Sequence, residues 1–240
     1  MLLKLDQPQI LADTIGIISE FVNDAKIKVN ERGLQITALD PANVALISLR
    51  IPKASFSLFE SSEEILGVNL PQLKQILRRC KPGSSLVIEK EDNLLKVNIQ
   101  DRVKRNFTLA LIDLDLEDKE IPNLEFSSRV ILNSGDFNSS VEDCAIVADA
   151  CSFVIKDHTF SLEASGLNSA KSTFSSDEAV IEAENCRSKY SLEYLQKFIK
   201  GSKISDKTIL QFANDYPLRM DYRQDNVELT FILAPRVETE

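Results

Sequence analysis

Two distant stretches of the chain repeat the same apolar spacing, and this repeat restricts the fold more than any other feature. Residues 70–81 read LPQLKQILRRCK, and residues 192–203 read LEYLQKFIKGSK. Shifted by 122 positions, four apolar residues and one lysine of the first stretch fall on four apolar residues and one lysine of the second. Apolar residues three and four positions apart are typical of an amphipathic helix. We therefore predict the same helix twice.

Two further pairs of segments support a duplication. They are FVNDAKIKV at 21–29 with IVADACSFV at 146–154, at an offset of 125, and the alternating residues Leu34, Ile36 and Ala38 with Phe160, Leu162 and Ala164. Three matches in the same order at nearly constant spacing indicate an internal repeat. We predict an N-terminal domain at 1–115, a connecting loop at 116–126 and a C-terminal domain at 127–240.

Both halves follow one plan of a strand, a helix, several alternating strands, a second helix and closing strands. The first helix is predicted from Pro8 to about Val22, because proline is accepted in an opening turn and the apolar residues that follow have helical spacing. Two hairpins are predicted, with turns at 30–33 and 91–93. Many short strands with about four helices indicate an α+β fold built on antiparallel sheet.

Composition limits the classes of function. The chain has 240 residues and a net charge of -9, from 37 acidic and 28 basic residues. Such a balance disfavours binding to nucleic acid unless the cations are clustered. No apolar run approaches the roughly 20 residues that span a bilayer, and the N-terminus lacks the features of a secretory signal. We expect an intracellular protein without a membrane segment.

Catalytic and metal-binding signatures are missing from the sequence. The four cysteines form no CxxC pair, and with the single His158 they make a poor zinc set, so we expect small buried thiols. His158 lies in KDHTF, which is typical of a turn between strands. There is no HExxH or glycine-rich phosphate loop. We predict a protein that is not an enzyme and that needs no cofactor or metal.

The connector and the end of the chain carry a resemblance to a known family. The segments are LQITALDPANVALISLRI at 34–51, LIDLDLEDKEIPNLEF at 111–126, NDYPLRMDY at 214–222 and LTFILAPRVE at 229–238. In this order, and with the internal repeat, the chain resembles the DNA sliding clamps of the proliferating cell nuclear antigen family over essentially its whole length. The LAPRVE ending resembles the archaeal members.

The resemblance implies a ring of three subunits with two similar domains each. Helices would line a central hole for double-stranded DNA, bound without regard to sequence, and antiparallel sheets would form the outer wall. DNA polymerase, ligase, flap nuclease and a clamp loader would dock through short hydrophobic motifs. The protein would work in the cytoplasm or nucleoid of an archaeon, or in the nucleus of a eukaryote.

Cations on the second helix of each half fit contact with DNA. In the first half, helical geometry places the cations on one stripe, beside the apolar residues. The predicted DNA-facing residues are Lys74, Arg78, Lys81, Lys197, Lys200 and Lys203. The first helix, and a third one from about Ser134 to Ala148, expose acidic and neutral residues instead. Contact with DNA is therefore expected to be unequal around the hole.

Two further surfaces are implied. By resemblance, the partner groove comprises Leu39, Val44, Ile121, Phe126, Pro217, Ile232, Ala234 and Pro235. The segments 103–110 and 169–176 have the character of sheet edges, and pairing them head to tail between subunits would close a ring. The interface residues predicted there are Val103, Arg105, Phe107, Leu109, Lys171 and Thr173.

Other readings stay open at the level of sequence. The chain has the features of a clamp, but it could also be one subunit of a heterotrimeric or checkpoint ring, or a scaffold that does not encircle DNA. The acidic faces of the first and third helices favour these alternatives, whereas the apolar groove disfavours them. The distinguishing observation is whether the purified chain forms a ring alone.

Overall fold

The structure, a computed structural model, describes residues 1–115 and 117–236. The first residue of the predicted connector, Leu116, lies outside the described residues. So do the last two residues of the LAPRVE segment, Val237 and Glu238.

Among its described residues, the first half of the chain contains nine strands and two α-helices. In chain order they are β1 Leu2–Leu5, α1 Gln9–Ile18, β2 Asp24–Asn30, β3 Gly33–Leu39, β4 Ala45–Pro52, β5 Leu58–Glu60, β6 Glu64–Asn69, α2 Leu70–Leu77, β7 Ser85–Glu91, β8 Leu94–Gln100 and β9 Lys104–Ala110. A single 3-10 turn, Lys53–Ser55, lies between β4 and β5.

The second half repeats this order. Its elements are β10 Ser128–Asn133, α3 Ser134–Val147, β11 Ala150–Lys156, β12 Thr159–Ser165, β13 Ser169–Phe174, β14 Ala179–Ala183, β15 Cys186–Ser191, α4 Leu192–Phe198, β16 Lys207–Phe212, β17 Leu218–Gln224 and β18 Val227–Leu233. The 3-10 turn Ile199–Lys203 extends α4. In both halves a strand and a helix precede five strands, a second helix and three strands, so the predicted duplication and the α+β class are confirmed.

One offset in the predicted repeat is wrong by one residue. β2 and β11 begin 126 positions apart, whereas the sequence match used 125. The buried residues that correspond are Ala25, Ile27 and Val29 with Cys151, Phe153 and Ile155. The error arose because an Asp-Ala pair occurs at 24–25 and at 149–150. Since side chains alternate between sheet faces, a slip of one residue would exchange buried and exposed positions.

The chain divides into two compact units. Unit 1 comprises Met1–Pro41, Ile47–Glu120 and Gln224–Leu229; unit 2 comprises Ala42–Leu46, Ile121–Arg223 and the residues from Thr230 onward. Unit 1 contains the five-stranded antiparallel sheet β5-β1-β7-β8-β9 and a second sheet in which β6, β2 and β3 are neighbours. Unit 2 contains the four-stranded sheet β13-β12-β11-β15 and a second sheet in which β14, β10, β16 and β17 are neighbours.

The helices are shorter than the sequence predicts. α1 ends at Ile18, where the Ser19 hydroxyl donates to the Gly16 carbonyl at 2.8 Å, and the residues to Phe21 form turns. Serine hydroxyls that bond to nearby carbonyls compete with the helix in this way. α2 begins after Asn69, whose side chain caps Gln72 N at 3.1 Å, and ends at Leu77. The predicted hairpin turns at 30–33 and 91–93 are confirmed.

Aromatic side chains fill the core of unit 2. In unit 2, Phe153 lies at the centre of an aromatic cluster with edge-to-face neighbours 5.1–6.0 Å away, namely Phe137, Phe160, Tyr190 and Phe212. Such pairs contribute beyond their buried area. All four cysteines are buried free thiols, as the sequence predicts.

Among the described residues, the longest helix is α3 with 14 residues, and no helix is long and apolar enough to cross a membrane.

Gly67 fixes the beginning of the connector on unit 1. Its carbonyl accepts a hydrogen bond from Ile112 N at 2.9 Å, so the chain beyond β9 lies against β6. A Cβ at Gly67 would lie 2.0 Å from the Ile112 carbonyl oxygen and 3.0 Å from Leu114 Cγ. Only glycine therefore permits this approach of two backbones.

We predict that Gly67→Ala lowers the free energy of unfolding by about 1–3 kcal/mol, because the new methyl group overlaps backbone that cannot move cheaply. Gly16→Ala is the matched control. A Cβ at Gly16 meets nothing within 4 Å, so alanine in α1 should raise stability by about 0.5–1 kcal/mol. Chemical denaturation of both variants measures the difference, and equal effects would contradict the assigned role of Gly67.

Candidate DNA-facing and partner-docking surfaces

The predicted cations of α2 are in two different situations. Lys74 is half-buried, and its Nζ donates to the Gly16 carbonyl at 3.1 Å, near the end of α1. A carbonyl in the last turn of a helix carries partial negative charge, which favours this contact. Arg78 and Lys81 are exposed and form no ion pair within the described residues. Both follow the last residue of α2, Leu77, although the sequence predicts a helix to position 81, and both remain exposed to an external anion.

The cations near α4 differ in their exposure. Lys197 pairs with Glu193 Oε1 at 3.1 Å and lies 5.2 Å from the centre of the Tyr194 ring. Its charge is therefore partly compensated by its own helix. Lys200 and Lys203 lie in the 3-10 turn that follows and are exposed. Neither α1 nor α3 contains a lysine or an arginine.

Seven of the eight predicted groove residues belong to unit 2, and Leu39 belongs to unit 1. Ala234 N donates to the Val44 carbonyl at 2.9 Å, which joins two of the predicted residues directly. The Phe126 ring packs edge-to-face on Tyr216, the neighbour of Pro217, with centroids 5.9 Å apart. Ile121, Phe126, Pro217 and Pro235 are half-buried, Ile232 is buried and Ala234 is exposed.

Two hydrogen bonds hold the backbone next to Pro217 in place. The Tyr216 carbonyl accepts from the Tyr190 hydroxyl at 2.7 Å and from the Ser188 hydroxyl at 3.2 Å. Burial raises the pKa of Tyr190, so its hydroxyl remains a donor at neutral pH. The sequence reasoning missed Tyr216, although its position directly before Pro217 was a signal.

A buried carboxylate stiffens the sheet beside these residues. Asp221 on β17 is 1% exposed, and it accepts from Thr230 Oγ1 at 2.6 Å and from Arg219 Nε at 2.9 Å. A buried carboxylate is tolerated only with such partners, so the three side chains fix one another. Arg219 and Asp221 lie on β17, which follows Pro217, and Thr230 lies on β18 two residues before Ile232.

The C-terminal tail is held on β15. Arg236 N donates to the Lys189 carbonyl at 2.7 Å, and Arg236 Nη1 donates to Asp149 Oδ2, also at 2.7 Å. This contact holds the pKa of Asp149 below its ordinary range. Residues 234–236 are thus fixed at both ends, between Val44 and Lys189. The sequence reasoning identified Pro235 but missed the Arg236–Asp149 pair.

A cavity of about 500 Å³ lies on unit 1, between the connector and the hairpin of β2 and β3. It is lined by Val22, Asn23, Asp24, Ala25, Lys26, Lys28, Gln35, Thr37, Ala38, Leu39, Pro41, Leu114, Glu117, Asp118, Lys119 and Glu120. Leu39 is the only residue of the predicted groove among them. The connector residue Asp118 contacts Lys28 Nζ at 2.8 Å and Lys26 Nζ at 3.8 Å. The sequence reasoning missed both lysines, which resemble ordinary exposed residues of a strand.

The predicted subunit-interface residues lie at or beside two sheet edges. β9 ends the order of the five-stranded sheet, and β13 ends that of the four-stranded sheet. Val103 is 62% exposed, whereas Leu109 is 6% exposed and packs inside its own unit. Arg105 pairs with Asp101, and Lys171 pairs with Glu163 at 2.8 Å. Phe107 is half-buried and Thr173 is exposed.

Clusters of metal-ligating side chains were sought in the described part of the chain. It contains no group of three or more histidine, cysteine, aspartate or glutamate side chains that could hold a metal ion. His158 lies in the turn between β11 and β12, as the sequence predicts. The candidate surfaces are therefore the exposed cations, the apolar residues of the predicted groove and the sheet edges β9 and β13.

We predict that the carboxyl group of Asp118 titrates below its ordinary pKa of 3.8, because hydrogen bonding to Lys28 and the charges of Lys28 and Lys26 favour the carboxylate. A lowered pKa means that the ion pair holds the connector at neutral pH and is lost as pH falls through that lowered value. An NMR titration should show the midpoint rising toward 3.8 in Lys28→Met. Lys119→Met, which removes only the contact with Glu117, should leave the Asp118 midpoint unchanged; a shift there would contradict the assigned cause.

Comparisons with known proteins identify the family of the chain. The family model "Proliferating cell nuclear antigen, N-terminal domain" matches residues 1–120, and "Proliferating cell nuclear antigen, C-terminal domain" matches residues 120–237. The DNA polymerase sliding clamp 1 of Thermococcus kodakarensis is 36% identical, with 95% of this chain and 94% of that protein covered. The DNA polymerase sliding clamp of Pyrococcus furiosus is 34% identical with the same coverage.

Solved structures give the same result. The chain superimposes on the crystal structure of the Thermococcus kodakaraensis proliferating cell nuclear antigen with a TM-score of 0.91, 25% identity, and coverage of 98% of this chain and 99% of that one. The proliferating cell nuclear antigen of Entamoeba histolytica shares the fold, with a TM-score of 0.92, 22% identity and 98% of each chain covered. The family models together span nearly the entire sequence, and the chain therefore belongs to the proliferating cell nuclear antigen family of DNA sliding clamps.

Proposed function

We propose that the chain is a subunit of a ring that encircles duplex DNA and holds replication and repair enzymes on it. The observation that carries this proposal is membership of the family over residues 1–237, with the same order of elements in both halves. A ring retains DNA by topology, so the protein needs neither a catalytic group nor high affinity for its substrate. We infer that the protein is not an enzyme and that it works wherever the cell keeps its DNA.

A few lysine and arginine side chains are proposed to make the contact with DNA. Arg78, Lys81 and Lys203 are exposed, and Lys74 and Lys197 are partly engaged by their own unit. Lys200 is also exposed and is proposed to face DNA with them. Such cations contact phosphates, which carry no sequence information. The absence of cations from α1 and α3 makes the contact uneven. Weak, sequence-independent contact is what a sliding protein requires.

We predict that replacing Arg78, Lys81 and Lys203 together with alanine weakens binding to linear duplex DNA. The plot of log affinity against log salt should become shallower by about 0.9 for each phosphate that is no longer neutralised. The control variant carries alanine at three exposed cations outside α2 and α4: Arg32, Arg50 and Lys156. Equal slopes for the two variants, measured by fluorescence anisotropy at several salt concentrations, would exclude the DNA-facing assignment.

The apolar groove is the proposed docking site for enzymes. An amphipathic helical turn with aliphatic and aromatic anchors fits a groove of half-buried apolar residues, and here Ile121, Phe126, Pro217 and Pro235 provide such a surface. The contact of Arg236 with Lys189 and the hydrogen bond from Tyr190 to Tyr216 hold this surface in place before a partner binds. DNA polymerase, ligase, flap nuclease and the clamp loader are the proposed partners, each through a short hydrophobic motif.

We predict that Pro235→Glu or Ile121→Glu weakens binding of a short peptide with one aliphatic and two aromatic anchors by at least about 30-fold, the scale of removing a hot spot. Leu58→Glu, at an exposed apolar position on β5, is the control and should leave the affinity unchanged. Isothermal titration calorimetry measures both. Retained affinity in the groove variants, with circular dichroism unchanged, would place docking elsewhere on the protein.

Ring closure is proposed to use the two sheet edges. β9 and β13 would pair head to tail between subunits, and the side chains beside this pairing are those of Val103, Arg105, Phe107, Leu109, Lys171 and Thr173. Leu109 would contribute through its backbone, because its side chain is buried within unit 1. A clamp-like ring that only scaffolds other proteins is the alternative favoured by the acidic α3, and measuring DNA binding by the alanine variants distinguishes it.

A further inference from the structure

The connector is held by few contacts between Ile112 and Phe126. Ile112 N donates to the Gly67 carbonyl at 2.9 Å, and the Phe126 ring packs on Tyr216. Between these two positions, none of the described residues forms a backbone–backbone hydrogen bond. A segment without such bonds has no secondary structure of its own to fix it. Its position therefore depends on contacts of its side chains.

Apolar packing does not fix the middle of the connector. The cavity of about 500 Å³ separates it from the outer face of β2 and β3. The connector residues from position 117 to 120 that line this cavity are all charged: Glu117, Asp118, Lys119 and Glu120. Charged groups lose hydration when they are buried and gain nothing from an apolar contact. Electrostatic contacts must fix this part of the chain.

Two lysines on β2 supply these contacts. Lys26 and Lys28 point to the same face of the sheet, because side chains alternate along a strand. Asp118 contacts Lys28 Nζ at 2.8 Å and Lys26 Nζ at 3.8 Å. Among the described residues of the connector, Asp118 alone forms ion pairs outside it, since Lys119 pairs with Glu117. One carboxylate and two lysines therefore hold the middle of the connector on unit 1.

The charge of the connector makes these cations necessary. Residues 112–126 carry six acidic side chains and one lysine, and the whole chain has a net charge of -9. An acidic segment is repelled by an acidic protein unless cations lie beneath it. Lys26 also pairs in register with Gly67, where the connector backbone approaches the sheet. The two lysines thus lie where the connector needs an attractive contact.

We propose that Lys26 and Lys28 position the connector for docking, so that the affinity of the groove depends on two lysines outside the predicted groove. The inference rests on the proposed docking function and adds positioning residues to it. Ile121 follows Asp118 by three positions, and three extended residues span at most about 11 Å. Holding Asp118 restricts Ile121 before a partner binds, which lowers the cost of ordering the connector during binding.

The test compares wild-type chain with the double variant Lys26→Met and Lys28→Met. The probe is a capped peptide with one aliphatic and two aromatic anchors and no charged residue, so that salt does not act on the peptide's own charges. At about 50 mM NaCl the variant should bind about 2- to 5-fold more weakly, the scale of exposed ion pairs. At about 1 M NaCl the two affinities should converge, because salt screens the ion pairs of the wild type. Isothermal titration calorimetry measures both.

Two further variants separate positioning from a loss of structure. Lys119→Met removes a lysine that contacts only Glu117, and it should keep the affinity and the salt dependence of the wild type. Lys28→Glu should weaken binding. Adding Asp118→Lys to it reverses the pair and should restore the affinity to within about 2-fold, since the attraction returns with opposite signs. A merely structural role of Lys28 would not be rescued in this way.

The position of the connector is also measured without a peptide. Trypsin cleaves after Lys119, and at about 50 mM NaCl cleavage should be faster in the double variant than in the wild type, because a released segment enters the protease more readily. Unchanged affinity in the double variant, a loss of affinity that salt does not alter, or failure of the reversed pair to restore binding would each overturn the proposal.

A wild-type chain that does not bind the peptide would contradict the docking function instead. The cleavage rates then decide the role of the two lysines alone. Faster cleavage of the double variant would leave their hold on the connector intact, whereas equal rates would overturn it as well.

Discussion

Open sheet edges are the constraint on which the rest of the structure depends. Each edge strand presents amide and carbonyl groups that need partners. The connector satisfies part of β6 through Ile112 N and the Gly67 carbonyl, and the tail satisfies part of β15 through Arg236 N and the Lys189 carbonyl. Within the described residues, β9 and β13 have no such cover. The segments proposed to serve docking therefore also protect two edges, β6 and β15. Among the other terminal strands, β5, β9, β13 and β14, the strands β9 and β13 are those proposed to join subunits.

Most of the fold follows from local patterns in the sequence. The alternation of residues in β2 and β3 can be read within one continuous stretch of sequence, and so can the helical spacing from Leu70 to Leu77. These elements were therefore predictable. The register of the repeat was not, because the Asp-Ala pairs at 24–25 and 149–150 resemble each other more than the buried residues of the two strands do. Only packing shows that Ala25 corresponds to Cys151, with an offset of 126.

The surfaces were less predictable, because their chemistry depends on residues far apart in the chain. Helical geometry placed Lys74 on a cationic stripe, but its contact with Gly16 requires the neighbouring helix α1. The Asp118 contact with Lys28 spans ninety positions and leaves no local pattern. The pair of Glu193 and Lys197 was different: its spacing of four residues on a helix was a readable signal that the sequence reasoning missed.

The acidic balance of the chain is consistent with these surfaces. A net charge of -9 gives a field that repels DNA at long range, while the exposed cations Arg78 and Lys81 attract phosphates only nearby. A protein that encircles DNA gains nothing from tight binding, since each strong contact would slow its movement. Lys74 donates to the Gly16 carbonyl and Lys197 pairs with Glu193, and both contacts lower the attraction of these cations to DNA further. The contacts of Lys74 and Lys197 therefore make the proposed DNA-facing surface less positive, and weaker attraction to DNA favours sliding.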